Sequence, residues 1–204
     1  MGLTVTVLGA TGQTGRELVR QALERGHDVI AVARDPSKLD FPGLRRAATD
    51  VRNPESAAQV LAGAEVIVSA LGVAEGERPG VLTAGARVVA AAGAGRVVWL
   101  GAFGTGPSAA AAGWLTRTML KAMGDRLADK MTADAAILAG GGTVFHAGPL
   151  STGPLSPARR TVGLDAAPRR LFPARVSRAT VAAAMLDEAE SPRYAGRVAL
   201  PLER

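Results

Sequence analysis

Three glycines at a spacing of three, Gly9, Gly12 and Gly15, stand in the run Gly9-Ala10-Thr11-Gly12-Gln13-Thr14-Gly15. An apolar stretch precedes the run and a helical pattern follows it. A pyrophosphate needs backbone N–H groups and the positive end of a helix, and glycines let the main chain turn tightly and come close without a Cβ in the way. With Thr11, Gln13 and Thr14 between the glycines, the run is a candidate dinucleotide loop. Its position opening a helix makes it more specific than a glycine triplet alone.

The second candidate group lies about twenty residues beyond the loop, where an acidic side chain would accept from the ribose 2'-hydroxyl of NAD. Here that residue is Arg34. A guanidinium suits a 2'-phosphate through charge-assisted bidentate hydrogen bonds, and Lys38 supplies a second cation nearby in sequence. The alternative is that Arg34 is a solvated strand end and Asp35 takes the ribose. Ligands of open α/β sheets sit beyond the carboxyl ends of the strands. Asp50 and Val51, after a third strand, are therefore placed for the adenine, and Ala70, Leu71 and Gly72, after a fourth, for the nicotinamide ribose.

The elements that must position these residues follow from periodicity. Leu3 to Leu8 reads as a strand, and Gln13 to Arg25 as a helix with Leu18, Val19, Ala22 and Leu23 on one face. Gly26 ends that helix and Asp28 to Ala33 is the next strand, which completes one βαβ unit. The alternation continues with a strand at Leu44 to Ala48, a helix from Pro54 to Leu61 capped by Asn53, and the strand Glu65 to Ala70. A helix from Gly80 to Ala92 leads to the strand Arg96 to Leu100. Beyond Gly104 an alanine-rich helical stretch reaches Met123, a helix spans Asp125 to Leu138, and Thr143 to His146 is a sixth strand. Residues 147–175 are rich in proline, glycine and arginine and read as ordered but irregular, covering one end of the sheet. Ser177 caps a last helix with Val181, Ala184, Met185 and Glu188 on one face, and Gly196 to Leu202 closes with a strand. Apolar strands alternating with helices predict a doubly wound parallel α/β sheet of Rossmann type, as one domain over residues 1–204.

Composition narrows the partners. Of 204 residues, 48% are hydrophobic and 21% charged, as in ordinary globular chains. The net charge of +6 comes from arginines scattered along the chain. Arg159-Arg160 and Arg169-Arg170 lack the aromatic partners of single-strand binding platforms, so no nucleic-acid partner is expected. The uncharged stretch from Val97 to Leu115 is broken by glycines and a proline and makes a poor membrane span. There is no cysteine, hence no disulfide, thiolate metal site or cysteine nucleophile, and no metal is expected. No leader is seen at the N-terminus, and a cytoplasmic location is expected.

These residues carry a resemblance. The loop wording GATGQTG, AVARDPSKL at the end of strand two, EVIVSALG at strand four, HAGPLSTGP after strand six, the VSRATVAAAML helix and the GRVALPL strand run nearly end to end. The sequence resembles the atypical short-chain dehydrogenase/reductases of the NAD(P)H-binding group, which includes biliverdin-IXβ/flavin reductases and the NmrA-like regulators. The resemblance implies an α/β fold, a preference for NADPH, and hydride transfer to small planar acceptors such as flavins, quinones or bilins.

The departures from the family pattern matter as much. Mainstream members use a Tyr-x-x-x-Lys pair. The one tyrosine here is Tyr194, and where the pair would fall Arg126 and Lys130 stand four apart. Lys130 either touches the cofactor or is an exposed helix lysine. Flavin reductase-like members carry a serine after strand five near the nicotinamide; the matching stretch is Gly101-Ala102-Phe103-Gly104, with glycine at the serine position. His146 replaces an arginine usual after strand six. It is either a proton donor, as an imidazole can be, or a packed structural residue. Phe103 and Trp114 form either a stacking wall for a planar substrate or part of the core.

The implied function is an NADPH-dependent reductase acting on a small planar acceptor. The alternative is an NADP(H)-binding regulator without catalysis. A nucleotide-sugar epimerase or dehydratase shares the loop spacing but normally needs the tyrosine.

Overall fold

A computed structural model describes residues 2–74, 76–113, 116, 118, 120, 124–168 and 172–203. β1 (Thr4–Leu8) is a central strand. Its neighbours are β2 (Asp28–Ala33) on one side and β4 (Val66–Ser69) on the other, both parallel to it. β3 (Arg45–Ala48) extends the sheet past β2; β5 (Arg96–Ala102), β6 (Thr143–Ala147) and β10 (Val198–Leu202) extend it past β4. The strand order β3-β2-β1-β4-β5-β6-β10-β8, with β8 at Arg160–Gly163, reverses direction at β1, so a crevice opens beyond the carboxyl ends of β1 and β4.

Alternation along each strand divides the core between two faces. Val5 and Val7 of β1 pack with Leu18, Val19 and Ala22 of α1 (Gln13–Glu24) and with the last helix, α5 (Arg178–Glu190). Leu8 turns to the other face, covered by α2 (Pro54–Leu61), α3 (Val81–Ala91) and α4 (Asp125–Ala139). Each fully buried valine or leucine contributes about 1.5–3 kcal/mol of burial. α5 is more deeply buried than a single apolar face predicts: Ala182, Ala183 and Leu186 are covered as well as Val181, Ala184, Met185 and Glu188. Its small alanines let it lie close to α1, where Gln21 Nε2 donates to Ala179 O at 2.9 Å. Glu188 can be buried there because its carboxylate accepts from Thr143 Oγ1 and from the backbone N–H groups of Arg193 and Tyr194.

Two expectations need correction. Residues 147–175 are not wholly irregular. Arg160–Gly163 forms β8, an antiparallel edge strand on β10, and Leu150–Ser151 (β7) pairs in parallel with Val176–Ser177 (β9). Four- and two-residue strands carry too little periodicity to be read locally, and their pairing partners lie far along the chain. The sheet is consequently mostly parallel, with one antiparallel edge. The alanine-rich stretch begins at Gly106–Ala110 as a 3-10 turn, and most of the remainder up to Met123 lies outside the described residues, as does Trp114.

Candidate functional site

Beyond the carboxyl ends of the central strands lies a cleft of about 760 Å³. Its floor is the glycine loop. Gly9 has φ +77° and its N–H donates to Val32 O; a Cβ there would lie 2.9 Å from Leu71 Cα. The Gly12 N–H closes the turn onto Gly9 O at 3.1 Å, and a Cβ on Gly15 would overlap that same carbonyl. Gly12 then starts α1 with no side-chain cap and no acidic residue in the first turn. The helix therefore presents its positive end, at Gln13 and Thr14, to the cleft. A cradle from which side chains are excluded, facing an uncapped helix end, fits the pyrophosphate of a nicotinamide dinucleotide. Arg16 braces the loop from outside, donating to Thr11 O and Lys38 O.

At one end of the cleft stands Arg34, at the end of β2. Its side chain is 60% exposed, and Nη1 lies 3.0 Å from Glu77 Oε1. Glu77 is 14% exposed, and its other carboxylate oxygen accepts from the Ala74 N–H. Lys38 does not line the cleft; it is exposed and pairs with Asp35 at 3.4 Å. A hydrogen bond from Ser37, opposed by slight desolvation and reinforced by Lys38, holds the Asp35 carboxyl below its ordinary pKa. Asp50 and Val51 line the same end. Asp50 Oδ1 is engaged by the Arg52 N–H at 2.9 Å, and Arg52 reaches across to Arg78 O.

Ala70, Leu71 and Gly72 form the wall after β4, and Gly101 and Ala102 the wall after β5. Lys130 lines the cleft beside them. Burial pushes its ammonium pKa down, opposed by the charges of Asp134 and then Asp129. The neighbouring Asp129 fixes where α4 docks. It accepts from the N–H groups of Leu82 and Thr83 and from Thr83 Oγ1, which caps α3 from outside because Gly80 offers that helix no side-chain cap.

His146 is 1% exposed and does not line the cleft. Its Nδ1 lies 2.6 Å from Ser108 Oγ and its Nε2 3.2 Å from Asp134 Oδ2. This buried set sits directly behind Gly101, where a Cβ would come within 2.6 Å of His146 Cδ2. The structure thus places His146 in the packed role rather than as a proton donor facing the cleft. Phe103 is also away from the lining, partly buried against the core on the α2–α3–α4 face of the sheet, and Gly15 acts beneath the loop rather than on its surface. Tyr194 donates to Thr161 O at 3.0 Å on the far edge of the sheet.

Sequence reasoning missed Glu77, Gly148, Leu150 and Arg178, all of which line the cleft. Glu77 is one of two glutamates in a Gly/Pro-rich loop that follows a strand ending at the cleft, which is a usable signal. Arg178 opens a helix that lies parallel to α1, and only the packing of those two helices reveals its place. Among the described residues, no group of three or more His, Asp or Glu is arranged to hold a metal ion, and no helix is long and apolar enough to cross a membrane.

Comparison with known proteins agrees with this geometry. A Streptococcus pneumoniae protein assigned as an NADH-flavin reductase superposes with a TM-score of 0.80 at 18% identity, over 100% of both chains. The anaerobillin reductase of Escherichia coli O157:H7 superposes with a TM-score of 0.78 at 21% identity, over 98% of this chain and 97% of that one. At these identities the likeness is one of fold. The 4-hydroxy-tetrahydrodipicolinate reductase of Natronomonas pharaonis is 54% identical over 37 residues, 18% of this chain and 15% of that protein. Matches to three further curated relatives cover 9%, 22% and 34% of those proteins' lengths. The sequence model of the NAD(P)H-binding family matches residues 9–192, and the chain belongs to that family.

Proposed function

We propose that this protein is an NADPH-dependent reductase that passes hydride to a small planar acceptor of flavin, quinone or bilin type. The observation that carries the reading is the make-up of the cleft beyond Gly101. Among the described residues that end presents Gly101, Ala102, Ala147, Gly148 and Leu150 with two cations, Lys130 and Arg178, and no phenol or hydroxyl. Reduction of a simple carbonyl needs a donor for the developing alkoxide. A flavin or quinone gains a hydride and takes the one proton that completes its reduction from water, so the small-residue walls need only hold two flat rings face to face.

Bound in this cleft, the nicotinamide would supply the hydride at C4. The Gly9 to Gly15 loop and the start of α1 would hold the pyrophosphate, Arg34 the 2'-phosphate, Asp50 the adenine amino group, and Lys130 the ribose hydroxyls. The two structural relatives described as flavin and anaerobillin reductases support the acceptor class.

The test is NADPH oxidation with FMN, a quinone and dichlorophenolindophenol. Turnover with at least one acceptor is expected, with Arg34→Glu raising the KM for NADPH. Tight NADPH binding without turnover across the panel would replace the enzyme by a redox-responsive regulator. Equal affinity for NADH and NADPH would overturn the role given to Arg34.

A further inference from the structure

Five charged side chains line the cleft among the described residues: Arg34, Asp50, Glu77, Lys130 and Arg178. Their distribution is lopsided. Arg34 and Glu77 neutralise one another at 3.0 Å, and Asp50 stands at the same end. No carboxylate lines the other end. The sheet order sets the separation: Arg34 leaves β2, whereas Gly148 and Leu150 follow β6, four strands away, or about 19 Å at ~4.8 Å per strand.

Arg178 belongs to the β6 end. It directly follows β9, whose Val176 and Ser177 pair with Leu150 and Ser151 of β7. The backbone there is held firmly, because the Ser177 N–H donates to Glu203 Oε1 at 2.8 Å and Ser177 Oγ accepts from the Thr180 N–H. Arg178 is also the first residue of α5, where the helix field is positive and a cation is disfavoured. An arginine at that position adds to the field in place of offsetting it. Among the described residues neither Arg178 nor Lys130 has an ion-pair partner. Of the acids nearest Lys130, Asp129 is occupied by Leu82 and Thr83, and Asp134 engages His146 and Thr105 through Oδ2, its buried Oδ1 making no hydrogen bond among the described residues.

The charges of a bound NADPH do not balance this pair. In the proposed placement its pyrophosphate would face the glycine loop and the start of α1 and its 2'-phosphate Arg34, and its reduced nicotinamide ring is neutral. The ribose hydroxyls given above to Lys130 carry no charge, so the charges of Lys130 and Arg178 would both be left unbalanced at the acceptor end of the cleft. We propose that Arg178, with Lys130, forms an anion subsite for the acceptor, so that the substrate is a planar ring system carrying a phosphate, carboxylate or sulfonate arm. This inference rests on the reductase reading and specifies its substrate class. Arg178 is then a specificity residue: its planar fork takes the two oxygens of such a group.

The probes are matched pairs that differ only in the acid: FMN against riboflavin, and 1,2-naphthoquinone-4-sulfonate against 1,2-naphthoquinone. Binding to the NADP+-loaded protein is measured by calorimetry or fluorescence quenching, alongside NADPH turnover. At least one acidic member is expected to bind about tenfold more tightly than its neutral partner. Arg178→Gln should abolish that preference while leaving NADP+ affinity within about twofold, and Arg178→Lys should restore part of it. Equal binding within both pairs, or binding of no probe at all, overturns the subsite. So does an Arg178→Gln variant whose loss falls on NADP+, since the cation would then serve the cofactor. An acid preference in binding without turnover leaves the subsite standing and removes the reductase reading.

Discussion

Glu77 holds the Arg34 guanidinium at 3.0 Å from a loop 43 residues further along the chain, and both side chains line the end of the cleft beside β2. A nucleotide 2'-phosphate directed to Arg34 would have to displace or share this partner. On the proposed reading, Glu77 would temper the preference for a 2'-phosphate that Arg34 would create. Glu77→Gln is expected to strengthen binding of 2',5'-ADP about five- to tenfold and leave 5'-ADP unchanged, since a like charge beside the phosphate is removed. Arg34→Gln should erase the difference between the two nucleotides. Calorimetric titration of both variants with both ligands gives the result directly.

The three loop glycines should separate into folding and binding positions. A Cβ at Gly15 would overlap Gly9 O and approach Ala10 Cα within 2.8 Å, so Gly15→Ala is expected to lower the stability by about 1–3 kcal/mol and the melting temperature with it. At Gly12 a Cβ would meet only Gly9 O, at 3.3 Å. Gly12→Ala should therefore melt near the parent temperature and lose NADP+ affinity at least tenfold. Parallel thermal melts and titrations distinguish the two.

Asp129 predicts a pH effect on stability. Burial alone would raise its pKa, but hydrogen bonds from the Thr83 side chain and from the N–H groups of Thr83, Gly80 and Leu82 hold it below the ordinary value. A depressed carboxylate contributes stability that is fully present above its unfolded pKa of about 3.9 and is lost as pH falls through the lower folded value. Asp129→Ala should cost about 1–3 kcal/mol at pH 7. The gap from the parent, measured by urea unfolding, should narrow as the pH falls below about 3.5. Because Asp129 seats α4 on α3, the variant should also weaken NADP+ binding through Lys130.

His146 should behave as a packing residue. His146→Ala leaves Ser108 Oγ and Asp134 Oδ2 without their buried partner, at an expected cost of about 2–4 kcal/mol. NADP+ affinity in the folded variant should stay within about twofold. A variant of parent stability that had lost turnover would instead return His146 to the chemistry. The same packing explains the glycine at position 101: a serine there would bring its Cβ within 2.6 Å of His146 Cδ2 and 2.9 Å of Asp134 Oδ2.

What was legible in the sequence was what local chemistry dictates. Strand, glycine turn and helix are contiguous, and the need for a positive φ at Gly9 and for an uncapped Gly12 is settled within a few residues. Ser177 and Asn53 cap their helices as their types predict. Arg34 reached the cleft because the end of β2 is fixed by the first βαβ unit. Lys38, only four residues later, did not, because Asp35 and the 3-10 turn at Pro36–Lys38 turn it to solvent.

The tertiary structure alone decided the rest, because those features depend on which distant segments meet. Glu77 finds Arg34 across 43 residues, and Asp129 caps a helix 46 residues before it. β8 exists only because β10 offers it an edge, and His146 is withdrawn from the cleft by Ser108 and Asp134, which close over it from either side. Arg178 becomes a cleft residue only when β7 pairs with β9 and α5 lies along α1. Residue types and periodicity encode what each segment can do, whereas burial, charge pairing and edge pairing are properties of the assembled chain.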